Sequence, residues 1–338
     1  MKTIDIHAHV IGEETMRLMQ QEAPKVAPRI TPIDGESAVF EVAGTPYRPF
    51  PRGGFDLERR FKDMAAAEVD MQAVSVCPQT FLYDQDASLV DALARIQNEQ
   101  IAKLAKQHPD RFMGLATLPM QAPERAAEEL RRAVRTLGLA GAMIGSNVAG
   151  RNLDDPALEP VWAAAAEVDA FMLIHPVKVA GADRLRAYYL TNLIGNPLDT
   201  TIAAACLAFA GVLERYPSLK ICLSHGGGFT PYQAGRFAHG WHVRGEPKAS
   251  LAVSPEASLR RFYYDTILHA APQLEFLIGW AGPSHVLLGS DYPFDMGSAE
   301  CVRQVRALGI PEADRATILG GQAAAMLRGQ SARAAAAQ

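Results

Sequence analysis

Little in this 338-residue chain points to a membrane, a secretory route or nucleic acid. No apolar run approaches the roughly 20 residues that a bilayer crossing needs. A strand pattern begins almost at the first residue, so no signal peptide with a charged region, apolar core and cleavage site is expected. Cysteine is scarce: Cys77, Cys206, Cys222 and Cys301 stand far apart, without the paired spacing of a zinc knuckle. They are expected to be reduced, partly buried thiols of a cytoplasmic protein. A formal net charge of −4 gives no reason to expect a nucleic-acid or anionic-membrane partner. No short-period repeat, low-complexity block or linker divides the chain. The 49% of hydrophobic residues suffices for a substantial core.

What is present is an alternation. Thr3-Ile4-Asp5-Ile6 reads as a β-branched strand, and strand-like apolar runs recur at 73–76, 112–118, 140–144, 171–174, 219–223, 261–265 and 285–289. Helical patterns follow them at 57–69, 87–106, 123–137, 156–167, 202–214, 232–242, 271–280 and 300–308, with a last helix from Pro311 to Leu327. Asp56 reads as an N-cap and Pro156 as a first-turn proline. Several strands are near-continuous apolar runs, as in a sheet covered on both faces. Eight strand–helix units predict an α/β fold, a (β/α)8 TIM barrel forming one domain over residues 1–330. Residues 10–55 are rich in proline and poor in periodicity, which predicts an inserted lid or binding loop after strand 1. Ala-rich Ser331–Gln338 is expected to be a disordered tail.

A barrel of this kind keeps its active site at the C-terminal ends of the strands. Strand 1 ends in His7-Ala8-His9, strand 5 in His175-Pro176, strand 6 in Ser224-His225-Gly226-Gly227-Gly228, and strand 8 in Gly289-Ser290-Asp291-Tyr292-Pro293. His7 and His9 are two residues apart and share one face of their strand. Four of the nine histidines and one aspartate thus converge on one rim, whereas His108, His239 and His269 fall in helices or loops. Any one of them could be structural; the set predicts a metal centre. Imidazoles with a carboxylate suit zinc, manganese or iron, and no cysteine joins them as in an iron–sulfur or closed structural zinc site. Three histidines and an aspartate leave room for water or substrate on the ion.

These segments resemble the amidohydrolase superfamily, and within it the metal-dependent decarboxylases of the muconate-semialdehyde type. The resemblance rests on Ile4-Asp5-Ile6-His7-Ala8-His9, Tyr47-Arg48-Pro49, Ile174-His175-Pro176, the His225 segment with Gly235-Arg236, and Leu288-Gly289-Ser290-Asp291-Tyr292-Pro293-Phe294. It implies one divalent ion, zinc with manganese as the alternative, held by His7, His9, His175 and Asp291. It implies His225 as the acid/base partner of a metal-bound water, with Asp291 completing the catalytic pair. Arg48 and Arg236 would clamp the carboxylate of a small-molecule substrate, a role that suits the planar guanidinium fork. The second arginine is expected to reach a neighbouring subunit's site, and hence a homodimer. The implied reaction is non-oxidative decarboxylation of an unsaturated or aromatic acid bearing a hydroxy or amino group. A hydrolase or hydratase acting on a lactone, amide or C=C bond is the alternative, and a non-catalytic carboxylate binder is a third reading.

Three departures refine the resemblance. Strand 4 ends Met143-Ile144-Gly145-Ser146-Asn147, without the bridging lysine of binuclear relatives, which favours a single ion. His7 stands where a dihydroxybenzoate-decarboxylase subgroup carries glutamate. Val177-Lys178-Val179 lacks the aromatic residue of the muconate-semialdehyde type, so a different substrate is open. Phe81, Tyr83, Tyr188, Tyr189 and Phe294 remain to line the pocket, with helix packing an equal expectation for Tyr188-Tyr189. The glycine triplet has no Lys-Ser or Lys-Thr after it and reads as a close backbone pass by the metal site, not a P-loop. Lys178 and Glu36 read as solvated surface residues.

Overall fold

The computed structural model describes residues 2–327; the expected tail at Ser331–Gln338 lies outside the described residues. The apolar runs become eight parallel strands: β1 (Ile4–His9), β2 (Met71–Ser75), β3 (Phe112–Ala116), β4 (Gly141–Gly145), β5 (Phe171–His175), β6 (Lys220–Leu223), β7 (Tyr263–Asp265) and β8 (Val286–Leu287), hydrogen-bonded in that order. The chain closes on itself where β8 returns to β1, through Ile6 N–Leu288 O at 2.9 Å, Asp291 N–His7 O at 2.8 Å and His9 N–Tyr292 O at 2.7 Å. Every residue of β1 to β5 is buried, as the near-continuous apolar runs require. The result is the expected (β/α)8 TIM barrel. Among the described residues no helix is long and apolar enough to cross a membrane.

A helix follows each strand, in order at 57–66, 87–107, 123–135, 159–167, 196–209, 230–243, 271–281 and 301–306. Asp56 caps the first, accepting from Arg59 N at 3.1 Å. The helix expected over 202–214 begins earlier, at Asn196, and breaks at Gly211, whose left-handed φ of 67° restarts the chain as Val212–Arg215. The last helix widens over Thr317–Gly321, where a Cβ on Gly320 would stand 2.2 Å from Lys2 O. Only a glycine lets it pass so close to the start of β1.

The segment 10–55 is not irregular. Helix Glu13–Glu22 leads into a three-stranded antiparallel sheet of Arg29–Pro32, Ser37–Val42 and Thr45–Pro51, with Ser37–Val42 in the middle. The prolines that hid this sheet lie in its outer strands, where a missing N–H removes no ladder bond; the central strand has none. Ala43 (φ 49°) and Gly44 (φ 75°) make the tight left-handed hairpin turn between the second and third strands. The sheet has its own apolar cluster, with Phe40, Val42 and Phe50 packed alongside Met19 and Ala23 against Cys77, Leu82, Val90 and Leu93 of the barrel. It is a built layer over one side of the barrel.

Candidate active site

The ends of β1, β5, β6, β7 and the loop after β8 meet in one buried cluster. His7 Nε2 and His9 Nε2 are 3.1 Å apart, and Asp291 Oδ1 lies 3.3 Å from the first and 3.1 Å from the second. His175 Nε2 stands 3.9 Å from the same oxygen, and His225 Nε2 3.4 Å from Asp291 Oδ2. The face shared by His7 and His9 survives a register shift in β1 between Asp5 and Ala8.

Five side chains crowd the cluster, and their outer nitrogens sort them. His7 Nδ1 donates to Asp265 Oδ2 at 2.8 Å, His9 Nδ1 to Val76 O at 2.9 Å, and His175 Nδ1 to Pro176 O at 3.0 Å. A carbonyl or carboxylate oxygen can only accept, so each of these rings carries its proton on Nδ1 and turns a lone pair inward at Nε2. His225 differs: its Nδ1 is buried with no partner among the described residues, and its Nε2 instead faces Asp291 Oδ2. Three histidines are thus tethered through Nδ1 and the fourth, His225, is not. Donor atoms of His7, His175, His225 and Asp291 do lie within 4.8 Å of one another. The tethering nonetheless favours His9 over His225 as the third nitrogen ligand.

Two inward lone pairs and a carboxylate oxygen 3.1–3.3 Å apart repel unless a cation lies among them. His175 Nε2 is likewise buried without a hydrogen-bond partner among the described residues. Ligand atoms about 2.0–2.1 Å from a tetrahedral ion stand roughly 3.3 Å apart, and these spacings bracket that value. The cluster is therefore suited to a metal ion. Burial holds His175 neutral, its pKa pushed down to about 3, and lowers that of His9 as well. Burial works against charge on His7 too, but Asp291 and Asp265 raise its pKa. Burial would raise Asp291, yet the histidines, His7 first, hold its carboxyl well below the usual range.

Both His225 (φ 54°) and Asp291 (φ 57°) occupy left-handed backbone. That conformation costs a non-glycine residue roughly 1–2 kcal/mol, a strain that recurs at functional sites. Asp265, absent from the sequence expectations, braces His225: it accepts from His225 N at 2.9 Å and from Gly226 N at 2.8 Å while it holds His7. The available signal was its place, last in β7, at the rim where functional side chains gather. Asp5 and Arg60 form a further layer. Asp5 accepts from His7 N, Ser290 N and Gln72 Nε2 at 3.0 Å each, and fully buried Arg60 donates to the His9 carbonyl. The glycine triplet does pass close to its surroundings, but to neighbours outside the histidine–aspartate cluster. A Cβ on Gly227 would meet Tyr264 at 2.4 Å, and one on Gly228 the Pro197 carbonyl at 2.0 Å. All three glycines have positive φ.

At the end of β4, where a bridging lysine is lacking, Ser146 and Asn147 serve as braces. Ser146 Oγ donates to buried Asp199, and Asn147 Nδ2 reaches both Asp199 Oδ2 at 2.9 Å and Val177 O at 2.6 Å. They fix the turn that follows His175. Phe294 packs on His9 with ring centroids 5.0 Å apart. Phe81 and Tyr83 stack on each other inside the core. Tyr188-Tyr189 is not helix-packing core: Tyr188 is 88% exposed, and the Tyr189 hydroxyl donates to Asp295. Lys178 and Glu36 are surface residues, paired with Asp84 and Arg59. Arg48, in the outer strand Thr45–Pro51, and Arg236, on helix Thr230–Val243, are exposed, and their side chains make no hydrogen bond or ion pair with the described residues. The single chain does not bring either into the histidine cluster's contacts.

The amidohydrolase family model (Amidohydrolase) matches residues 4–329. The chain is 33% identical to the 2-amino-3-carboxymuconate-6-semialdehyde decarboxylase of Dictyostelium discoideum over 324 residues, covering 95% of this chain and 90% of that protein. The crystal structure of 5-carboxyvanillate decarboxylase from Sphingomonas paucimobilis is similar with a TM-score of 0.83 and 26% identity, over 97% of this chain and 99% of that one. Dihydroxybenzoic acid decarboxylase from Polaromonas sp. JS666, solved with bound manganese and an inhibitor, shares the fold with a TM-score of 0.79 at 24% identity, over 97% of each chain. Matched almost from end to end, and with a relative of nearly its own length, the chain belongs to the amidohydrolase family.

Proposed function

We propose that the chain is a metal-dependent decarboxylase of an aromatic or unsaturated carboxylic acid with a hydroxy or amino group beside the carboxylate. The observation that carries the reading is the division of the histidines: three tethered through Nδ1 and one, His225, with no partner at Nδ1 and its Nε2 turned to Asp291. His7, His9, His175 and Asp291 would hold a divalent ion, with zinc the expected metal for this nitrogen-rich set and manganese the alternative. When bound, the ion would supply a Lewis acid that draws electron density from the substrate oxygen next to the carboxylate.

The remaining chemistry belongs to the protein. Decarboxylation leaves an electron pair on carbon, so a proton must reach that carbon. His225 Nε2 would deliver it; the C–C bond then breaks, CO2 leaves, and the bonding pair restores the π system of the product. Arg48 would orient the carboxylate from the lid, and Phe294 would pack against the ring. Arg236 would act across a homodimer, a reading supported by its exposure on a helix that also presents Tyr232, 80% exposed. The three relatives compared are all decarboxylases by name, which supports this reaction over a hydrolase or hydratase.

The test is metal analysis of protein purified without added metal, followed by turnover on hydroxybenzoates, 5-carboxyvanillate, an aminocarboxymuconate semialdehyde and lactones. About one divalent ion per chain and CO2 release from an acid of the panel are expected. Lactone opening without CO2 release would overturn the proposal.

A further inference from the structure

Three segments distant in sequence meet at one carboxylate near the histidine cluster. Asp295 lies four residues beyond Asp291, on a turn fixed by Phe294 N–Asp291 O at 3.0 Å. Its Oδ1 accepts from the Tyr47 hydroxyl of the lid sheet at 2.8 Å. The Tyr189 hydroxyl, from the loop after β5, reaches both carboxylate oxygens at 3.1 and 3.2 Å. Asn192 Nδ2 backs Tyr189 at 3.4 Å, and Met296 N donates to Asp295 Oδ1 at 3.1 Å. The neighbouring Phe294 ring carries the junction inward, edge-to-face with Tyr47 at 5.2 Å and against His9 at 5.0 Å.

The chemistry of the junction is specific. An ionised carboxylate only accepts and a phenol can donate, so two tyrosines converging on one aspartate form charge-assisted bonds. Tyr188 (φ 55°) and Tyr189 (φ 59°) are consecutive left-handed residues, a conformation that persists only where tertiary contacts hold it. The bond to Asp295 is one such contact. Tyr47 is followed directly by Arg48, so whatever seats Tyr47 also sets where the guanidinium starts from.

We propose that Asp295 is a positioning residue, which seats the lid sheet and the loop after β5 against the loop of Asp291 and thereby sets affinity for a carboxylate substrate. The proposal rests on the reading of Arg48 as a carboxylate clamp. Its test uses the full, metal-loaded chain, with amide hydrogen exchange over 45–51 and 186–192 and calorimetric Kd for 2,6-dihydroxybenzoate as the probe. Asp295→Ala is expected to speed exchange in both segments and to weaken the Kd about tenfold, the scale of one lost charge-assisted bond, at unchanged metal content. Tyr47→Phe should reproduce the loss in 45–51, and adding it to Asp295→Ala should weaken binding no further. Asp295→Asn, which keeps one acceptor oxygen, should recover part of the affinity, a rescue that loss of fold would not show. Unchanged exchange, or faster exchange with an unchanged Kd, overturns the proposal. Arg48→Ala separates the two readings: if it leaves the Kd intact, the clamp role fails, while the exchange data still decide whether Asp295 seats the lid.

Discussion

Replacing Asp265 by asparagine preserves volume but turns one acceptor oxygen into a donor. Oδ2 faces His7 Nδ1–H at 2.8 Å and His225 N–H at 2.9 Å; Oδ1 faces Gly226 N–H at 2.8 Å and Ile267 N–H at 3.1 Å. Whichever way the amide turns, its NH2 meets two donors. Backbone amides cannot adapt, but an imidazole can. His7 would move its proton to Nε2 and accept at Nδ1, and the lone pair facing His9 and Asp291 would be lost. Removing the partner behind a ligating histidine typically costs about 10–100-fold in metal affinity, or roughly 1.4–2.7 kcal/mol. Asparagine, which opposes the required tautomer, should reach the upper end, and Asp265→Ala, which merely releases it, the lower. Equilibrium competition against a fluorescent chelator measures both, with circular dichroism to check the fold. Wild-type affinity in Asp265→Asn, or weaker binding in the alanine variant than in the asparagine one, would refute the tautomer argument.

Two further outcomes are expected. His225→Ala should keep its metal and lose about 10²-fold or more in turnover, measured as CO2 release at matched metal content; a near-normal rate would remove His225 from the reaction. Mixing inactive His225→Ala and Arg236→Ala chains should restore roughly a quarter of wild-type activity if Arg236 acts across a two-fold interface, because half the dimers then carry one complete site. No restoration would place Arg236 in its own subunit's site or outside the reaction.

The barrel was legible because several of its strands are apolar runs that stand out between helices in a regular alternation. The metal-type rim was legible for a related reason: strand ends are positions that sequence locates, and His7, His9, His175, His225 and Asp291 all sit there. The partners of those residues were not. Asp265 lies 258 positions from His7 and Tyr47 lies 248 from Asp295, separations across which no local pattern carries information. The sheet within residues 10–55 was missed because proline suppresses a strand signal even where an edge strand tolerates it. For Tyr188-Tyr189 adjacent aromatics left core and pocket lining both open, and the core alternative fails because one hydroxyl serves a surface carboxylate.

The proline-bearing margins of the lid sheet have a consequence for how this protein meets its neighbours. A free sheet edge invites another chain to extend it, and each N–H on that edge is an opening for such pairing. Pro46, Pro49 and Pro51 remove three of the seven amide donors from Thr45–Pro51, and Pro32 ends the opposite margin. Strand addition from a second molecule along the Thr45–Pro51 margin is therefore disfavoured. At that margin a neighbouring copy meets side chains and interrupted backbone rather than a continuous row of donors.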